Sequence, residues 1–118
     1  MKTLIALVLL VLLVSFKSAS HAATTGSHAI APYPKVVIYT TPWCTSCNAA
    51  KDYFLKNNIP FIKKDIDAND RYLDEMTGKY KSRAVPLIVI GRDQKVLHGF
   101  VPDLFQQAFK DVMTASSR

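Results

Sequence analysis

Cysteine is scarce in this chain: 118 residues contain two, Cys44 and Cys47. That excludes a scaffold stapled by several disulfides and a four-cysteine zinc site. There is no glycine-rich phosphate loop, no HExxH and no GxSxG, so the usual signatures of nucleotide, zinc-protease and serine-hydrolase chemistry are missing. No internal repeat occurs, and the N-terminal apolar segment is the only low-complexity tract. That segment, Leu4 to Phe16, is 13 residues long. A membrane-spanning helix needs about 20 apolar residues, so this run is too short to span comfortably. Acidic residues are few, nine against fifteen Lys and Arg, for a net charge of +6. A bias of this size steers acidic partners but argues poorly for nucleic-acid binding. The Tyr and Phe positions follow core spacing and offer no nucleic-acid platform.

The composition is 49% apolar and 20% charged. That suffices for one packed domain and leaves little room for a second. Met1-Lys2-Thr3, the apolar run and Ser20-His21-Ala22 read as a signal peptide over residues 1–22, cleaved after Ala22. An uncleaved N-terminal anchor is the alternative. With cleavage, Lys2 and Lys17 are lost, the net charge falls to +4, and no membrane contact is expected. Residues 23–34, small, polar and Pro-containing, read as a flexible linker. The folded domain is expected over 35–118, in a periplasmic or secreted setting that tolerates disulfides.

Lys35 to Thr40 is β-branched and aromatic on both faces, as in a central strand. From Cys44 the pattern turns helical, with Cys47, Ala50, Tyr53, Phe54 and Asn57 on one side. Ile59 to Ile66 reads as a second strand with Pro60 at its start. Asp67 to Asp70 supplies an N-cap and first-turn acids for a helix that buries Leu73, Met76 and Tyr80 and runs to about Lys81. Leu87–Ile90 and Lys95–His98 form a hairpin around Gly91-Arg92-Asp93-Gln94. Pro102 opens a last helix with an apolar stripe of Leu104, Phe105, Ala108, Phe109, Val112 and Met113. The order implies an α/β fold, a mixed sheet with helices on both faces.

The chemistry centres on Cys44-Thr45-Ser46-Cys47. Cys44 falls where a buried strand meets a helix N-terminus. Unpaired N–H groups and the helix dipole there favour a thiolate. A thiolate attacks disulfides, and Cys47, one turn on and facing inward, would resolve the mixed disulfide. Thr45 and Ser46 add hydroxyls able to donate to the Cys44 sulfur. An inert structural disulfide or half of a metal site shares the CxxC spacing. The strand before, the helix after and Trp43 directly preceding favour redox chemistry. Thr41 is read as a strand-end cap, His98 as an ordinary strand-end position, and Lys79, Lys81 and Arg83 as a solvated basic group before Pro86.

Four segments in order, VVIYTTPWCTSC, IPFIKKDID, AVPLIVIG and the final Gly-Phe turn and helix, resemble the glutaredoxin branch of the thioredoxin superfamily. The resemblance implies a thioredoxin/glutaredoxin fold, a four-stranded mixed sheet flanked by three helices. It puts the catalytic pair at Cys44 and Cys47 and the family's cis-proline at Pro86. The backbone of Val85 would meet an extended substrate, with Trp43, Thr45 and Ser46 lining the groove. His98-Gly99-Phe100-Val101-Pro102-Asp103-Leu104 is similar to the motif of NrdH-type redoxins. Val101-Pro102 stands where glutathione-using relatives carry a second Gly and a Ser/Cys-Asp pair, which argues against glutathione. The resemblance implies a monomeric thiol–disulfide oxidoreductase with no cofactor beyond its redox-active disulfide, and the leader, which departs from the mainly cytosolic relatives, makes it an exported one. Its partners would be disulfide-bearing client proteins and an upstream dithiol donor. A metal or iron–sulfur carrier using the same cysteines is the alternative.

Overall fold

The computed structural model describes residues 33–118. The expected signal peptide and nearly all of the expected linker lie outside the described residues. Four strands and three helices alternate: β1 (Val36–Thr40), α1 (Thr45–Lys56), β2 (Ile62–Asp65), α2 (Asp70–Lys79), β3 (Leu87–Ile90), β4 (Lys95–His98) and α3 (Pro102–Ser116). The sheet order is β2-β1-β3-β4. β1 runs parallel to β2 and antiparallel to β3, and β3 pairs antiparallel with β4. This is the mixed four-stranded sheet with three helices that the sequence implies. Among the described residues no helix is long and apolar enough to cross a membrane.

Side-chain alternation divides the core into two layers. Val36 and Ile38 of β1, with Ile88 and Ile90 of β3, face α1 and α3 and pack on Ala50, Phe54, Phe105, Phe109 and Val112. Val37, Tyr39, Leu87 and Val89 face α2 and pack on Met76. β1 and β3 are therefore buried on both sides, which their unbroken apolar runs require. Phe54 and Phe105 are fully buried with ring centroids 4.8 Å apart. Each contributes roughly 1.5–3 kcal/mol by burial alone. That contact fixes α1, and with it Cys47, against the closing helix. Packing starts slightly before Lys35, since the Tyr33 ring lies 5.9 Å from that of Phe109.

Three expectations need correction. β2 starts at Ile62 rather than Ile59. Pro60 donates no ladder bond, and the Ile59 N–H is spent on the Phe54 carbonyl at the end of α1 (2.8 Å). Leu73 is 39% exposed, and Tyr72 takes its place beside Met76 and Tyr80, which pack against the sheet as expected. Asn69 is the N-cap, its side chain accepting from the Arg71 N–H at 3.0 Å. Leu104 is exposed at the first turn of α3, while Phe105, Ala108, Phe109 and Val112 carry the buried stripe.

The turn between β3 and β4 is Gly91-Arg92-Asp93-Gln94, as the sequence indicates. Gly91 (φ +72°) and Asp93 (φ +61°) both take left-handed backbone there. Tyr80 and Lys79, at the end of α2, bind the two oxygens of Asp93 at 2.6 and 2.7 Å. The hairpin tip is thereby tied to the helix on the α2 face.

Candidate active site

Strand direction gathers four loops at one end of the sheet. β1 and β2 are parallel, so both finish there; β3 starts there, and β4 returns there. The loops are Thr41–Cys44, Ile66–Asn69, Lys81–Pro86 and Gly99–Val101. Backbone bonds stitch them together. Ile66 N–H donates to the Thr40 carbonyl at 3.0 Å, and Gly99 N–H donates to the Pro86 carbonyl at 2.8 Å.

Cys44 is the N-cap of α1, in extended backbone geometry. Its Sγ accepts from the Cys47 N–H at 3.2 Å, the bond an N-cap oxygen would ordinarily make. Cys44 and Cys47 are joined in a disulfide with Cα atoms 5.2 Å apart. Cys44 keeps 7% of its surface accessible and Cys47 none, so one sulfur faces the loops and the other the core. Negative charge forming on Cys44 on reduction would meet the free N–H groups of the first helical turn. The structure thus supplies the electrostatics of a nucleophile at Cys44 and the burial of a resolving residue at Cys47.

The other sequence-selected residues take definite places. Pro86 is buried, and the Val85–Pro86 bond is cis. Thr45 and Ser46 are exposed, and the hydrogen bond to the Cys44 sulfur comes from the Cys47 backbone. Trp43 is 74% exposed, with its Nε1 donating to Asp67 Oδ2 at 3.0 Å. Thr41 is buried. Its carbonyl accepts from the Cys44 N–H at 3.4 Å, but its Oγ1 has no partner, so the side chain caps nothing. His98 is exposed at the end of β4. Sequence reasoning gave Asp67 to the start of α2 and missed its bond to Trp43. The available signal was topological: two parallel neighbouring strands release Trp43 and Asp67 side by side.

A half-buried ionic cluster ties β1, β2 and α2 together. Lys64 Nζ bridges both Glu75 oxygens at 2.8 and 2.7 Å and lies 5.2 Å over the Tyr39 ring. Burial opposes ionisation of Glu75. The bonds from Lys64 and Tyr39 outweigh it and hold the carboxyl below its usual range. Burial, with the Glu75 charge added, pushes the Tyr39 hydroxyl well above the ordinary tyrosine range.

Comparison with known proteins agrees with this geometry. The family described as Glutaredoxin matches residues 36–95. The Gene 56 protein of Mycobacterium phage L5 is 31% identical over 91 residues, 77% of this chain and 86% of that protein. A glutaredoxin of Pseudomonas aeruginosa is 38% identical over 58 residues, 49% of this chain and 69% of that protein. Among solved structures, the thioredoxin-like protein BC3987 superposes with a TM-score of 0.57 at 27% identity, covering 62% of this chain and 97% of that one. A dithiol pair at the head of α1, on a sheet of this order, has a thiol redox function, and the chain carrying it belongs to the glutaredoxin family.

Proposed function

We propose that this protein is an exported thiol–disulfide oxidoreductase that reduces disulfides of extracytoplasmic client proteins. The observation carrying this reading is the asymmetry of the pair, with Cys44 capping a helix N-terminus and Cys47 sealed beneath it. Export rests on the apolar run and the small residues that follow it in the leader. In the reduced protein the Cys44 thiolate attacks one sulfur of a client disulfide. The Cys44–client bond forms as the client S–S bond breaks, and the other client sulfur leaves as a thiolate. Cys47 then loses its proton and attacks the Cys44 sulfur. The Cys44–Cys47 disulfide forms, and the client leaves with two thiols, two electrons richer. An upstream dithiol protein restores the pair.

The Val101-Pro102 pair at the head of α3 argues for a protein dithiol as donor rather than glutathione, because Pro102 lacks the N–H that a carboxylate would use. The alternative is a metal or cluster carrier using the same two cysteines, which a visible absorption band or stoichiometric metal in anaerobically purified protein would favour. Insulin-disulfide reduction tests the reading. Wild type is expected to reduce it, Cys44→Ser to be inactive, and Cys47→Ser to accumulate the mixed disulfide. Equal activity in Cys44→Ser would sink the proposal.

A further inference from the structure

The sheet has a second end, where the folded chain begins. β1, β2 and β4 start there and β3 finishes there, about 17 Å along β1 from the cysteine loops. α1 and α3 run down to it. The Ile59 N–H closes on the Phe54 carbonyl just before β2, and Lys95 at the start of β4 bridges Asp111 of α3 at 3.5 Å. The surface here is apolar and basic. Tyr33 is 39% exposed and Ile62 46%. A groove of about 210 Å³ is lined by Tyr33, Ile59, Phe109, Met113 and Lys110 among others. A second, of about 290 Å³, is shared by Tyr33 with Pro34, Pro60, Phe61 and Ile62. Charge is divided between the two ends. Asp93 and Asp111 are each bridged, by Lys79 and Lys95. Lys35, Lys56, Arg92, Lys110 and Arg118 are exposed around them, with no ion-pair partner among the described residues. At the cysteine end Asp65, Asp67, Asp70 and Asp103 outnumber Arg71, Lys81 and Arg83. The net positive charge of the folded part therefore sits away from the sulfurs. From that same end the sequence leads back to the apolar run Leu4–Phe16.

We propose that this basic, apolar end is a docking surface for an anionic bilayer. Tyr33 and Ile62 enter the headgroup boundary, and the five cations sit over lipid phosphates. Cys44 then faces away from the membrane, toward soluble clients. A bilayer fits this end better than an acidic protein does, because the chain continues from it to the longest apolar run in the sequence. A retained leader would set this same face against the membrane. In the processed chain the cations and the two apolar side chains supply the attraction alone. The proposal does not depend on the reductase reading.

Both core layers are built from residues 36–113, so the chain from Ala23 onward keeps the fold without the leader. At low salt it is expected to sediment with vesicles of equal parts phosphatidylcholine and phosphatidylglycerol at about millimolar lipid. Pure phosphatidylcholine should not hold it, and high salt should release it. Lys56→Gln with Lys110→Gln should weaken binding by about 25-fold, about fivefold for each cation removed. Arg71→Gln with Arg83→Gln removes the same charge at the cysteine end and should change binding by less than about twofold. All four side chains are exposed, so neither pair should move the melting curve. An equal effect of both pairs means attraction to the net charge alone and overturns the proposal. Trp43, the one tryptophan, marks the cysteine end. Its emission should resist quenching by lipids brominated on their acyl chains while the protein is bound. Quenching would put the cysteine end on the bilayer and overturn the orientation. Failure to bind the mixed vesicles overturns the proposal even where polyglutamate binds, since that outcome assigns the end to an acidic protein.

Discussion

Replacing Glu75 by Gln removes one charge from the Lys64 cluster while keeping the shape of the side chain. Lys64 is 20% exposed and Glu75 34%, so the pair is screened less than a surface bridge but is not sealed. A fully exposed pair contributes about 0–1 kcal/mol, whereas breaking a buried one costs about 3–5 kcal/mol. The exposure of Glu75 puts the expected loss near the lower range, about 1 kcal/mol. For a domain of this size that is a fall in Tm of about 4–8 °C at pH 7. The pH dependence carries a definite sign. Glu75 titrates lower in the folded protein than the usual value of about 4.3 in the unfolded chain. Its contribution is therefore complete above that unfolded value and disappears as pH falls through the folded one. Thermal melts of wild type and Glu75→Gln should be separated at pH 7 and converge in acid, once pH has fallen through the folded-state titration of Glu75. A gap that stays constant into acid, or no gap at neutral pH, would refute the assignment of the shift to this ion pair. Lys64→Met completes a double-mutant cycle, in which the two changes should be less than additive.

Two further predictions concern backbone and burial. Thr41 Oγ1 is buried and unpartnered, so Thr41→Val should leave stability unchanged or raise it by about 1–3 kcal/mol, read from the urea midpoint. A clear destabilisation would mean that the hydroxyl is hydrogen-bonded in solution. Gly91 has φ +72°, and a Cβ there would meet the Gln94 side chain and lie 3.0 Å from Val112 Cγ1. Gly91→Ala should cost about 1–3 kcal/mol, and an unchanged melting curve would show that the hairpin relaxes freely.

The two central strands were legible because each is apolar on both faces, a pattern that only a doubly covered strand requires. The redox pair was legible because its spacing and its place after such a strand coincide. The edge elements read less well. β2 has two exposed and two half-buried positions, so its sequence carries little periodicity, and Pro60 misled the boundary. On α2, Leu73 and Tyr72 compete for the same face. The aromatic won because its ring reaches the Tyr39 layer and the Lys64 ammonium. Leu104 fell outside the stripe for a similar reason: at the first turn of α3 the neighbouring Phe105 already fills the space against Phe54. Both helix misses involve two large side chains at adjacent positions, and only the facing layer decides which is buried.

The Trp43–Asp67 contact belongs to a different kind of omission. It depends on no local pattern, since neither residue is unusual where it stands. It arises because β1 and β2 are parallel neighbours, which fixes where both loops emerge. The sulfur chemistry, by contrast, is local, set by one strand end and one helix start. Local determinants place Cys44 and Cys47 and hence the reaction. Non-local ones, at Asp67 and at the Pro86–Gly99 bond, shape what surrounds the sulfurs. On this division, substitutions at the loop tips should alter which disulfides react while leaving the dithiol exchange itself in place. That separation is why one cysteine pair at the head of a helix can serve different clients when only the neighbouring loops change.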